Sequence, residues 1–160
     1  KGFNEKVTLR EELKFLEDYI TIEKMRYMEM FDVETQVEKE ELYEAKIIKL
    51  TLQPLVENAI FSGIEPGGKN GKIYIRIEQE ADRLCVRVRD DGVGMTEEKI
   101  REIMENPQKR KGDTMSGIGL PNVDQRIKLV YGESYGLTIC SQVGEYTEIL
   151  VTLPIEYENE

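Results

Sequence analysis

Leu84-Cys85-Val86-Arg87-Val88-Arg89-Asp90-Asp91-Gly92-Val93-Gly94-Met95 decides how the rest of the chain is read. Leu84, Val86 and Val88 alternate with Cys85, Arg87 and Arg89, the period of two that sends apolar side chains to one face of a strand and polar ones to the other. The same parity carries Asp90 onto the inward, apolar face, where a carboxylate without a donor is costly. A strand that ends on an inward acid and runs into a glycine-bearing loop therefore asks for a hydrogen-bonding partner.

The neighbouring segments supply a sheet for that strand. Upstream, Ile73, Ile75 and Ile77 alternate with Tyr74, Arg76 and Glu78, and Glu80-Ala81-Asp82 is a hairpin-length connection. Further alternating runs lie at 31–37, 136–141 and 147–153. Helical patterns separate them. Thr8-Leu9-Arg10-Glu11 fits a capping box, and Leu9, Leu13, Leu16 and Ile20 follow on one helical face, so a helix is expected over about 8–30. Its Met25, Met28 and Met30 read as core or interface filler. A second helix carries Leu52, Leu55, Val56, Ala59 and Ile60, with Pro54 in its first turn and Gly63 as its stop. Pro66 to Gly71 reads as a turn cluster, Thr96 caps a short helix to 104, and Pro121 opens another to 131. Glu38, Glu40, Glu41 and Glu44 read as a solvated connector, while 105–116 lacks apolar periodicity and is a candidate lid. The expected class is α+β: a two-layer α/β sandwich with a mixed, mostly antiparallel sheet and helices on one face.

Bulk properties narrow the function. The 160 residues suit one domain, and 39% hydrophobic content supports a single core. A formal net charge of −10 argues against sequence-independent nucleic-acid binding, which needs clustered cations to displace counterions. Cys85 and Cys140 form no ligand cluster and read as reduced thiols of a cytosolic setting; with no histidine present, a structural zinc site is not expected. No apolar run approaches the roughly 18 residues of a membrane span.

Two further segments complete a constellation. Asn58 sits in Glu57-Asn58-Ala59, in an otherwise apolar helix, and Ser116-Gly117-Ile118-Gly119-Leu120-Pro121-Asn122-Val123 places glycines before a helix start, where unpaired N–H groups favour anions. Together with Asp90, Gly92 and Gly94 they read as a nucleotide site built without a P-loop.

In this order and spacing the three segments resemble the catalytic and ATP-binding domain of sensor histidine kinases of the LytS/YesM type, within the wider GHKL group. Residues 53–59 reproduce the Gln-Pro-Leu-Val-Glu-Asn-Ala of that type. The resemblance implies the Bergerat ATP-binding fold and roles residue by residue. Asp90 would accept a hydrogen bond from the adenine amino group, with Thr147 supporting it through water. Gly92 and Gly94 would let backbone approach the base. Gly117, Gly119 and Leu120 would hold phosphates with Asn122 beside them, and Asn58 would coordinate Mg2+. Glu57 would orient a water on that metal or be a solvated helix-face carboxylate. Lys109, Arg110 and Lys111 would fold over the phosphates or form a solvated basic loop. In such a protein residues 1–30 lead from the phosphoacceptor region, 31–160 form the ATP-binding domain, and the whole is the cytoplasmic part of a bacterial membrane receptor.

Two departures bear on activity. The resemblance calls for a basic or imidazole pair after Glu-Asn-Ala-Ile, and this chain has Phe61-Ser62. Gyrase and MutL ATPases carry a water-activating glutamate one turn before the asparagine, where this chain has Pro54, so poor hydrolysis of ATP is expected. Because the chain has no histidine, its expected partners besides ATP are a phosphoacceptor dimerisation domain of the same full-length protein and a response regulator. The alternative is a catalytically weak nucleotide-sensing or protein-docking module of the same fold.

Overall fold

The computed structural model describes residues 5–105 and 119–158. In chain order the elements are β1 (Lys6–Thr8), α1 (Leu9–Arg26), β2 (Phe31–Val37), a 3-10 turn (Glu40–Glu44), β3 (Lys46–Ile48), and α2 (Gln53–Asn58), which widens into a π-helical turn (Ala59–Ile64) and closes as α3 (Glu65–Gly67). Then come β4 (Gly71–Glu80), β5 (Arg83–Asp90), α4 (Glu97–Glu105), α5 (Leu120–Tyr131), β6 (Gly136–Gln142) and β7 (Tyr146–Pro154).

The alternation in the sequence becomes a five-stranded sheet of order β2-β4-β5-β7-β6, in which β2 and β4 run parallel and every other pair is antiparallel. Its register stacks the apolar positions. Ile75 lies opposite Val88 and Ile77 opposite Val86, while Val86 and Val88 face Val151 and Ile149 on the other side. These side chains are buried against the helices, together with Leu55, Val56, Ile60, Val123 and Ile127. Burying each such side chain is worth about 1.5–3 kcal/mol relative to exposure, and this makes the register hard to slip. The opposite face stays in water and pairs its charges: Arg87 reaches Glu78, Glu80 and Glu148, and Arg89 stacks on Tyr146. A mostly antiparallel sheet covered by helices on one face is what the patterning calls for.

Several local expectations change. Helix α1 starts on the capping box, with the Thr8 hydroxyl accepting Glu11 N–H at 3.1 Å and the Glu11 carboxylate accepting Thr8 N–H at 2.9 Å. It stops at Arg26 rather than 30, because Met28 and Glu29 turn left-handed (φ 52 and 59) and Glu29 N–H closes on Lys24 O. Met25 and Met28 are thereby left exposed instead of joining the core. Gly63 is not a helix stop: helical backbone runs through it to Gly68, whose φ of 69 ends the run. The acidic connector contains a buried Leu42, which pins the 3-10 turn to the core. Strands β1 and β3, paired Lys6 to Ile48, were not foreseen, since three residues are too few to show a period. The 106–116 part of the expected lid, Lys109, Arg110, Lys111 and Gly117 all lie outside the described residues.

Replacing Thr8 by Ala removes one half of the capping box and leaves an orphan amide at the start of α1. Urea unfolding should show a loss of about 1 kcal/mol with an unchanged slope.

Candidate nucleotide site

Asp90 is the last residue of β5, paired across the sheet with Ile73 on one side and Thr147 on the other. Parity places its carboxylate inward, where it is 2% exposed. Gly92 N–H donates to Oδ1 at 2.9 Å, and among the described residues this is its only hydrogen bond. Burial raises the carboxyl group to a pKa of about 7, with the Gly92 hydrogen bond pulling the other way. The adjacent Asp91 shows the contrast: it points outward and accepts Lys72 N–H at 2.8 Å, a structural tie between β4 and the loop. An inward carboxylate with unused acceptor capacity is a candidate recognition group for a ligand N–H.

Glycines let backbone pack tightly at the carboxylate and along the loop that follows it. Gly63 passes so close that a Cβ there would lie 2.6 Å from Asp90 Cγ, and its carbonyl accepts Val93 N–H at 3.0 Å. Gly92 lies directly on the Gly63 carbonyl. Gly94 adopts φ 73 against the Gln142 carbonyl, and Gly144 N–H donates to Val93 O at 2.7 Å. The loop after β5 is thus wedged between the π-helical turn and the β6–β7 connection. Sequence reading treated Gly63 as punctuation and missed this contact, because its cause is a residue far along the chain.

Thr147 is 2% exposed, but its hydroxyl does not bond Asp90 directly; it lies 2.8 Å from Ser141 Oγ. That serine also accepts Met95 N–H at 2.7 Å and donates to Tyr146 O at 2.7 Å, so it fixes the far end of the glycine loop. Nothing in the local sequence around Ser141 distinguishes it from a solvent-facing strand residue.

Asn58 ends α2 at the point where the helix widens; it is 9% exposed, and its amide makes no hydrogen bond among the described residues. Helix widening of this kind is commonly found at functional positions. Glu57 is fully buried and accepts Gln53 Nε2 at 3.3 Å, which removes the solvated-carboxylate reading. Phe61 stacks edge-on against Tyr27 at 5.9 Å. Phe61 and Ser62 line a cleft of about 550 Å³ with Pro66, Gly94, Met95 and Lys99. Lys99, capped into α4 by Thr96, has no ion-pair partner among the described residues and brings a positive charge to a cleft where Phe61 supplies none. Sequence reading had passed over it.

Helix α5 packs against α2 and starts from Gly119, extended at φ −92 and ψ 173, with no side chain capping it. Leu120 is buried and Asn122 is exposed on the first turn. Pro121 has no N–H, and Asn122 and Val123 N–H both donate to the Gly119 carbonyl, so the amides this start can offer an anion are those of Gly119 and Leu120, with the positive end of the helix dipole behind them. Asp90 is thus packed against Gly63, beside Gly92 and paired with Thr147, while Asn58 and the 119–122 turn sit on two packed helices.

Two outcomes test this geometry. The folded Asp90 carboxyl titrates near 7, above the aspartate value of about 3.9 expected in the unfolded chain. Between those values the folded chain holds a proton that the unfolded chain has released, so Asp90 costs stability progressively as pH rises from about 4 to about 7. The stability advantage of Asp90→Asn should grow over that window in urea titrations and be small at its acid end. In Gly63→Ala the added methyl meets the Asp90 carboxylate, and nucleotide titration should show binding lost, with a fold weakened by about 1–3 kcal/mol.

Comparison with known proteins places this geometry in a family. The model for "Histidine kinase-, DNA gyrase B-, and HSP90-like ATPase" matches residues 44–157. The chain is 36% identical over 152 residues to sensor histidine kinase YesM of Bacillus subtilis, covering 95% of this chain and 24% of that protein. It is 35% identical to sensor histidine kinase YpdA of Escherichia coli, over 94% of this chain and 25% of that one. The chain thus spans about a quarter of the length of these relatives. In shape it is similar to the catalytic domain of histidine kinase ThkA in a nucleotide-free form, with a TM-score of 0.61 at 20% identity over 96% of this chain and 98% of that one. The same TM-score relates it to ThkA in complex with response regulator protein TrrA, at 21% identity over 98% of this chain and 43% of that one. The fold, the glycine-lined acid and the family match agree: the chain belongs to the histidine kinase-, DNA gyrase B- and HSP90-like ATPase family.

Proposed function

We propose that this chain is the ATP-binding catalytic domain of a two-component sensor histidine kinase, donating the γ-phosphate of ATP to a histidine on a dimerisation domain outside the chain. The observation that carries the reading is the buried Asp90 carboxylate, with acceptor capacity to spare, opening on the glycine loop. The similarity to YesM and YpdA supports the histidine-kinase branch of the family over its hydrolases. So does Pro54, which stands one helical turn before Asn58 and offers no base for water activation.

Asp90 selects adenine by accepting its amino group, with Gly92 and Gly94 bringing backbone to the base. The start of α5, at Gly119 and Leu120 with Asn122 alongside, offers N–H groups to the phosphates, and Gly117 belongs to the same segment of sequence. Asn58 would hold Mg2+ through its amide oxygen, a hard donor whose hydrogen bonds are not committed elsewhere. Among the described residues no group of three or more His, Cys, Asp or Glu could hold a metal alone, so the ion would share ligands with the phosphates. When bound, Mg2+ neutralises charge on the phosphate oxygens. Glu57, buried next to Asn58, accepts Gln53 Nε2 of the same helix and would reach the metal only through water.

Transfer would break the bond from the γ-phosphorus to the β,γ-bridging oxygen and form a bond to an imidazole nitrogen, with ADP leaving. The domain contributes positioning and charge stabilisation. The chain has no histidine and so is not its own acceptor. The acceptor domain and a response regulator are the partners this reading requires, and the similarity to a kinase solved with its response regulator supports the second. No helix among the described residues is long and apolar enough to cross a membrane; we place the chain on the cytoplasmic side of a bacterial membrane receptor.

One observation favours a second reading, a nucleotide-sensing or docking module with weak catalysis. Phe61 turns its ring to Tyr27 at the position where the resemblance calls for a basic or imidazole side chain. Mixing the chain with its phosphoacceptor domain and γ-labelled ATP decides between them. Acid-labile label on the acceptor histidine, lost in Asp90→Ala, is expected; magnesium-dependent binding with no label at saturating ATP would establish the second reading instead.

A further inference from the structure

Two charged side chains from different helices converge on one strained peptide just before the helix that carries Asn58. Leu50 lies in the left-handed region at φ 65, a conformation that a γ-branched residue keeps only where its surroundings impose it. Its N–H donates to Glu12 Oε1 at 3.2 Å, and Leu52 N–H donates to Oε2 of the same carboxylate at 3.1 Å. Its carbonyl accepts Arg126 Nη2 at 3.2 Å, and the Lys49 carbonyl accepts that nitrogen at the same distance. The Thr51 hydroxyl closes the turn onto Ile48 O at 2.6 Å.

Glu12 comes from α1 and is 3% exposed; Arg126 comes from α5. The carboxylate takes the amide hydrogens of the loop and the guanidinium takes its carbonyls, so each neutralises the other through the peptides between them. The arrangement is not optimised for stability: Arg126 Nε and Nη1 are buried without a partner. Strain together with unsatisfied donors marks a backbone held for its geometry.

We infer that Glu12 and Arg126 are positioning residues that latch the 49–52 loop and so fix the spacing between Asn58 on α2 and the Gly119 and Leu120 turn of α5. The inference rests on the nucleotide reading of that site. It assigns Glu12 and Arg126 no contact with nucleotide; they act through the loop. Adenine recognition at Asp90 lies on the sheet, away from the latch, whereas the magnesium-bridged phosphates span the two helices that it joins.

The test compares the affinity of the whole chain for ATP with Mg2+ and with EDTA, alongside amide exchange at Leu50 and Leu52. Glu12→Gln keeps one acceptor oxygen and breaks one of the two amide bonds without leaving a hole, and Arg126→Met removes the donor while keeping much of the bulk. Each should erode the magnesium-dependent gain in affinity by about tenfold, leave the affinity in EDTA unchanged, and speed exchange at the loop amides. Arg126→Lys, which retains a cationic donor, should recover most of the gain. Equal losses with and without magnesium would mean general loosening and overturn the latch; so would unaltered exchange at Leu50 and Leu52. Asn58→Ala separates the two ideas. If it keeps the magnesium gain, the metal assignment fails while the exchange data still judge the latch; if it loses the gain and Glu12→Gln and Arg126→Met do not, the latch alone fails.

Discussion

Everything in this molecule is arranged around one carboxylate turned toward an apolar interior. Asp90 is costly there, and the backbone at Gly63 and Gly92 carries no side chain, which lets it close directly on the carboxylate and supply one stabilising N–H. The sheet delivers the acid, the π-helical turn walls it, and the loop beyond it is pinned by Ser141 and by the β6–β7 connection. Remove the inward parity and the glycines have no purpose.

Charge tells a consistent story at a larger scale. A chain of net charge −10 must hold an anionic ligand by local means. The candidates the proposed reading offers are the Gly119 and Leu120 amides at the start of α5 and Lys99 beside the cleft. Some acidic side chains are paired on the solvent face of the sheet, as with Glu78 and Glu148 about Arg87, and others accept hydrogen bonds in the interior, as with Glu12 and Glu57.

Sequence was informative where periodicity or a cap dictated structure. The alternation at 84–90 and 73–77 led to the correct strands and to the inward face of Asp90, and the Thr8 capping box located the start of α1. It was uninformative where distant groups decide. Gly63 read as a helix stop because the carboxylate it accommodates lies on another element; Ser141 read as one more polar strand residue; and the solvated alternative for Glu57 fails because packing buries it completely. The left-handed Met28 and Glu29 ended a helix that its apolar repeat alone would have extended. Asp90 and the glycine loop were therefore legible, and the parts that hold them in place were not.

The order of the strands has a kinetic consequence. Because β2 pairs in parallel with β4 only after the chain has passed through α2, and because Asp90 meets Thr147 only when β7 is laid against β5, two of the central strand pairings join sequence-distant segments. Such a topology has a high contact order, so its folding is slow beside that of helical bundles and is dominated by late, non-local closure. A nascent chain halted before 146 has Asp90 but lacks the strand that flanks it on one side.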